Sequence, residues 1–99
     1  NVPATVDQNE NGSYNSITVG TDGLSIISYY GATNGDLKVF SYNSTLPTTV
    51  DSNGDVGKYN SITIGADGLP IISYYDATNG NLKVAHCGSI NCLPYWTRR

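Results

Sequence analysis

The chain has no methionine and only one histidine, one tryptophan and one phenylalanine among its 99 residues. With two cysteines and a lone His86, it cannot supply the four nitrogen or sulfur ligands of an ordinary structural zinc site. Charge is also scarce. Five Lys and Arg stand against eight Asp and Glu, a net charge of −3. That balance excludes a basic face for nucleic acid and a polybasic membrane patch. No run approaches the roughly 18 apolar residues that a membrane-spanning helix requires. No secretory leader is visible and the chain opens at Asn1, which points to a processed or excised product. No apolar period of 3.6 residues occurs, so helices are not expected.

What the chain has in quantity is tyrosine (eight) and glycine (eleven), with many Ser, Thr and Asn. Tyr and Thr suit pleated sheets, while Asn, Gly and Asp suit tight turns. The fold class expected is all-β.

The chain repeats itself. Tyr14 to Ser41 reads YNSITVGTDGLSIISYYGATNGDLKVFS, and Tyr59 to His86 reads YNSITIGADGLPIISYYDATNGNLKVAH. The offset is 45 residues, and 21 of 28 positions are identical. The flank VPATVD (Val2 to Asp7) matches LPTTVD (Leu46 to Asp51). The expected layout is an N-terminal strand within 1–13, one repeat over 14–58 and a second over 59–99. Periods of this length mark solenoids, propellers and arrays.

Strands are legible within each unit. Ser16 to Val19 alternates, Asp22-Gly23 turns, and Leu24 to Tyr30 is a second strand. Asn34-Gly35 turns again into Leu37 to Phe40, and Pro47 to Val50 is a short fourth strand. The second unit follows with Asp67-Gly68, Leu69 to Tyr75, Asn79-Gly80 and Leu82 to Ala85. Pro70 opens its strand, where its missing N–H is tolerated. Four antiparallel strands in about 45 residues read as a meander like a propeller blade. Val2 to Val6 is fourth in type but opens the chain. It either completes the last unit of a neighbouring chain or pairs within its own.

The central strands carry apolar residues on both faces: Ile26 and Tyr30 against Ile27 and Tyr29, then Ile71 and Tyr75 against Ile72 and Tyr74. A sheet with one wet face would alternate apolar and polar. Two stacked sheets cover only one face each, and each buried side chain of this kind contributes roughly 1.5–3 kcal/mol. Further sheets are therefore expected from identical chains or a longer parent. The contact would be head to tail, closing into a ring or running into a fibril. The assembly residues expected are Val2, Ala4, Val6, Ile26, Ile27, Tyr29, Tyr30, Ile71, Ile72, Tyr74 and Tyr75. A two-sheet sandwich with its tyrosine rows in water is the alternative.

The segment SITIGADGLPIISYYDATNGNLKVAHC (Ser61 to Cys87) resembles the tandem repeats of large bacterial secreted and surface proteins. The resemblance covers nearly the whole chain and fits the second unit better. The first has Gly31 in place of Asp76 and lacks the His86-Cys87 pair. It implies a β-repeat scaffold of propeller type with no enzymatic role and no cofactor. The turn Asp76 to Gly80 is loosely similar to the Asp-box hairpin of sialidase-type propellers, without that motif's aromatic ending. The two-repeat layout is similar to small lectins that build a six-bladed propeller from three chains.

Cys87-Gly-Ser-Ile-Asn-Cys92 reads as a disulfide closing a short loop in an extracellular or cell-surface protein, with a redox pair or metal site as alternatives. His86 and Cys87 are strand neighbours and point to opposite faces, which argues against a Cys–His nucleophile. Of Asp22, Asp36, Asp55, Asp67 and Asp76, most lie beside Gly or Asn in turns, where Asp serves backbone geometry; calcium is the alternative. Tyr30, Tyr75 and Trp96 are candidate sugar-stacking residues. Asn11 and Asn43 head N-glycosylation sequons. The functional expectation is a non-catalytic structural repeat protein forming homo-oligomers or homopolymers. The alternative is a lectin that binds glycans as an oligomeric propeller.

Overall fold

The structure is a computed structural model that describes residues 5–10, 13–42, 46–89, 92 and 97–98. It is all-β, with no helix among those residues. The first sheet contains β1 (Ser13–Val19), β2 (Ser25–Gly31), β3 (Asp36–Ser41) and β4 (Thr48–Asp51). The second contains β5 (Val56–Ile64), β6 (Pro70–Asp76), β7 (Asn81–His86) and the two-residue β8 (Thr97–Arg98). Each is an antiparallel meander in chain order. The second sheet starts at Val56, with Val56, Gly57 and Lys58 in its first strand.

The turns form where Asp-Gly and Asn-Gly stand. Gly23, Gly35, Gly68 and Gly80 all have positive φ, between 69° and 81°. Asn34 and Asn79 do not, so these are four-residue connections ending on a left-handed glycine rather than two-residue hairpins. Asp22 and Asp67 each accept a hydrogen bond from the backbone N–H two residues on, at 3.0 Å. This explains why the pair recurs.

Both first strands carry an irregularity at the same repeat position. Tyr14 (φ 53°) and Tyr59 (φ 54°) are left-handed, and the β1–β2 and β5–β6 registers shift there. A bulge of this kind bends the strand and re-aims its side chains. Here it leaves Tyr14 and Tyr59 exposed and edge-on to each other, ring centroids 4.9 Å apart.

The sheets stack face to face, with β5 lying across β1, β2 and β3. Ile26, Leu37 and Val39 of the first sheet meet Val56, Ile62, Ile72 and Tyr74 of the second, and together they make the core. Cys87 and Cys92 form a buried disulfide with Cα atoms 4.7 Å apart. The expected pairing is present.

Candidate functional site

The chemistry of this molecule concentrates at the joint between its two sheets. Pairing in the β1–β2 and β2–β3 ladders sets Ile26, Ser28, Tyr30, Leu37 and Val39 on one face of the first sheet. That face lies against the second sheet. The opposite face of the second sheet's own strands, with Ile62, Ile72, Tyr74 and Ala85, receives it. The joint is therefore heterologous: one face of the repeat meets the other face of the next.

Three polar features lock the joint. First, Asp51 ends β4 in the first sheet, yet its carboxylate serves the second. The Tyr74 hydroxyl donates to its Oδ2 at 2.6 Å, and Lys83 Nζ donates to the same oxygen at 3.0 Å. Asn53 N–H adds a bond at 2.9 Å. Burial alone would raise the Asp51 carboxyl. The bonds from Tyr74, Asn53 and Lys83, with the lysine's charge, outweigh it and hold the group below the usual carboxylate range.

Second, Asn60 bridges the sheets. Its side-chain oxygen accepts from the Ser28 hydroxyl at 2.6 Å. Its amide donates to the Gly57 carbonyl at 2.8 Å and also to the Tyr14 carbonyl. Third, the Tyr30 hydroxyl donates to Asp55 at 2.6 Å, while Lys58 Nζ lies 5.5 Å from the Tyr30 ring centroid. The Asp55 bond, more than burial, pushes Tyr30 up to about 12. Gly57 (φ 113°) lets the backbones close: a Cβ there would lie 2.9 Å from the Leu37 Cα.

The Asp51 arrangement occurs twice. Asp7, the counterpart of Asp51 in the matched flank, accepts from the Tyr29 hydroxyl at 2.6 Å and lies 3.6 Å from Lys38 Nζ. Its carboxyl is also held low, burial being outweighed by bonds from Tyr29 and Asn9 and by Lys38. Burial and the Asp7 bond push Tyr29 above the ordinary phenol range. Asp7 thus occupies on the first sheet the seat that Asp51 occupies on the second.

Equivalent apolar residues have opposite fates in the two repeats. Leu37 and Val39 are 0 % and 1 % exposed, but Leu82 and Val84 are 80 % and 44 % exposed. Ile62 is 6 % exposed, but Ile17 is 62 %. The face that the first sheet buries in the joint is bare on the second sheet. The face that the second sheet buries is bare on the first at Ile17 and Val19.

The expected assembly residues separate accordingly. Ile26, Tyr30, Ile72 and Tyr74 are buried and serve the joint within the chain. Tyr29 is buried with its hydroxyl on Asp7, and Val6 and Ile27 are half-buried. Ile71 is half-buried and Tyr75 exposed on the open face of the second sheet. Val2, Ala4, Asn11, Asn43 and Trp96 lie outside the described residues. Of the sugar-stacking candidates, Tyr30 is buried and Tyr75 is open; the exposed Tyr14 and Tyr59 join them in one row, with centroids 6.1, 4.9 and 6.2 Å apart.

Sequence reasoning did not single out Asp7, Asp51, Asn60, Leu82 or Ile17. The signal for Asp7 and Asp51 was in the matched flanks, VPATVD and LPTTVD. His86 faces Asp67, with Nε2 2.7 Å from the carboxylate, on the opposite side of the strand from buried Cys87. Among the described residues no three His, Cys, Asp or Glu side chains converge as a metal site. No described helix is long and apolar enough to cross a membrane. The chain matches no family model, and no curated protein or solved structure matches it significantly.

Proposed function

We propose that this is a non-catalytic, extracellular structural repeat protein whose copies stack head to tail, extending between chains the joint that links the two repeats within one. The carrying observation is the reversal of exposure at equivalent residues. Leu82 and Val84 are open where Leu37 and Val39 are closed, and Ile17 is open where Ile62 is closed. Burying one large apolar side chain is worth roughly 1.5–3 kcal/mol, so a few such residues suffice to drive association. A contact of this kind repeats until rotation closes a ring or the copies run on as a fibril. The disulfide is compatible with an oxidising compartment. The resemblance to secreted and surface repeats supports the same setting.

The test separates the two faces. Leu82→Lys places a charge on the open face of the second sheet, and Ile17→Lys does so on the open face of the first. Sedimentation of the unaltered chain over rising concentration should show growing species. Each variant alone should stay monomeric. An equimolar mixture should form one species, a dimer, because each variant keeps the face that the other lacks. A native chain that stays monomeric at every concentration, or a variant that still grows alone, overturns the proposal.

A second reading has its own observation. The exposed row of Tyr14, Tyr59 and Tyr75, with ring centroids 4.9 and 6.2 Å apart, is the kind of aromatic strip on which sugars stack. On that reading the assembled ring is a lectin, and Tyr59→Ala should abolish binding to a glycan array without changing sedimentation. An assembled particle that binds no glycan removes it.

A further inference from the structure

Ser28 and Ser73 are polar residues in the middle of central strands that are otherwise apolar and aromatic, SIISYYG and PIISYYD. In the first sheet the joint accounts for the serine. Ser28 is fully buried, and its hydroxyl donates to Asn60 Oδ1. The Asn60 amide donates to the carbonyl of Tyr14, at the left-handed bulge of β1, and the Ile62 N–H donates to Ser16 Oγ at 3.4 Å. One asparagine on the covering sheet thus reads two groups of the covered sheet, and the backbone two residues on reads a third. Each of these groups has a counterpart 45 residues away in the other repeat. Ser61 and Ser73 stand opposite each other on the second sheet, and Ser73 is opposite the bare Val84. Tyr59 carries the same left-handed backbone as Tyr14, φ 54° against 53°. On the first sheet, Asn15 and Ile17 are exposed on β1. The Tyr30–Asp55 bond does not carry over in this way. At the Asp55 position stands Glu10, whose carboxylate is engaged within its own repeat, accepting from the Thr33 N–H at 3.0 Å beside Gly31.

Resting on the head-to-tail reading, we infer that Asn15 is the residue that sets the docking position between copies. Its side chain enters the neighbouring chain's second sheet, accepts from the Ser73 hydroxyl and donates to the Tyr59 carbonyl, while the Ile17 N–H meets Ser61 Oγ. The occupant is a second copy of this chain, because the joint inside the chain already uses the same residue types at the same repeat positions. An unrelated apolar surface laid on Leu82 and Val84 would bury the Ser61 and Ser73 hydroxyls without partners, and a buried polar group without a partner is costly. The two serines therefore reject any surface that lacks an asparagine opposite them, which is specificity by exclusion. A copy displaced along β1 loses the match while keeping apolar contact. The polar pair thus fixes one docking position where Ile17, Leu82 and Val84 alone would allow several.

A double-mutant cycle between separate chains tests the pair. The Leu82→Lys chain offers only its first sheet, with Asn15, and the Ile17→Lys chain offers only its second, with Ser73. Their mixture therefore makes one kind of contact. Asn15→Ala is added to the former and Ser73→Ala to the latter, and dimer formation is followed by sedimentation. Each should weaken the dimer roughly tenfold, and the two together little more than either alone. Asn15→Asp keeps the size of the side chain but has no amide to donate to the Tyr59 carbonyl, and should weaken the dimer at least as much as Asn15→Ala. Circular dichroism in dilute solution should show Tm little changed by Asn15→Ala. Asn60→Ala, at the same repeat position, should lower it, because that lock lies within the chain. Losses from Asn15→Ala and Ser73→Ala that simply multiply, or a dimer indifferent to Asn15, refute the pairing and leave head-to-tail stacking standing. Failure of the two parent chains to dimerise removes that reading and this inference with it.

Discussion

Leu37 and Leu82 allow one substitution to be made twice in the same chain with opposite expectations. Both follow Asn-Gly turns at the same repeat position, and both stand opposite a tyrosine of the central strand, Tyr30 or Tyr75. Leu37 is fully buried in the joint, beneath the backbone of Gly57. Leu82 is 80 % exposed. Truncating a buried leucine to alanine costs about 2–5 kcal/mol through lost transfer energy and the cavity left behind. An exposed leucine costs less than about 0.5 kcal/mol. For a domain of this size each kcal/mol shifts Tm by about 4–8 °C. Leu37→Ala should therefore lower Tm by roughly 10–30 °C. Leu82→Ala should shift it by only ~4 °C or less in dilute solution. Thermal unfolding by circular dichroism reads both. Concentration adds the decisive dimension. If Leu82 is buried by the next copy, unaltered protein gains stability with concentration, because assembly binds only the folded state. Leu82→Ala should lose most of that gain. Equal Tm losses for the two variants in dilute solution would refute the assigned joint. A Tm of native protein that does not move with concentration would refute the assigned open face.

Four further outcomes follow from the polar lock and the close approach. Asp51→Ala strands the buried Tyr74 hydroxyl and Lys83, and should lower stability by about 1–3 kcal/mol in a denaturant titration, with Asp51→Asn recovering part of the loss. Asp7 and Asp51 have folded-state carboxyls below their ordinary value, so their contribution is present above the unfolded value of 3.8 and fades as pH falls through the folded one. Acid unfolding of the native chain should be steeper below that pH than in a variant with both replaced by Asn. Tyr30 has the opposite sign: its contribution is whole below its unfolded value of 10.0 and is lost as pH rises towards about 12, which absorbance of the ionised phenol follows. Gly57→Ala meets both a positive φ and the Leu37 backbone, and should cost about 1–3 kcal/mol, whereas Gly80→Ala, with nothing near its Cβ, should cost only the smaller strain of its φ.

The strands and turns were open to reading because their causes are local. Alternation at Ser16 to Val19 and the Ile- and Tyr-rich runs between turn pairs mark pleated ribbons, and Asp-Gly or Asn-Gly marks a left-handed glycine in a turn. The repeat itself predicted that two sheets would share one design. The bulges at Tyr14 and Tyr59 were not legible, since nothing about tyrosine favours a positive φ; the ladder and the Asn60 bridge hold it there. Nor was the role of Asn60, a residue of a type abundant in turns whose side chain reaches another sheet.

By itself, the amino-acid sequence determined the number of sheets, their internal strand order and the presence of apolar residues on both faces of each central strand. It could not determine which face would be covered, because Leu37 and Leu82 stand in nearly identical local surroundings. Only the stacking decided that, by placing β5 over one face of the first sheet and nothing among the described residues over its equivalent on the second. Likewise Asp51 and Asp7 look like ordinary strand-end aspartates in the chain. Their partners, Tyr74 with Lys83 and Tyr29 with Lys38, lie more than twenty residues away and meet them only after the sheets have formed. Burial is a property of neighbours in space, and identical sequences acquire different burial when only one of them has a neighbour.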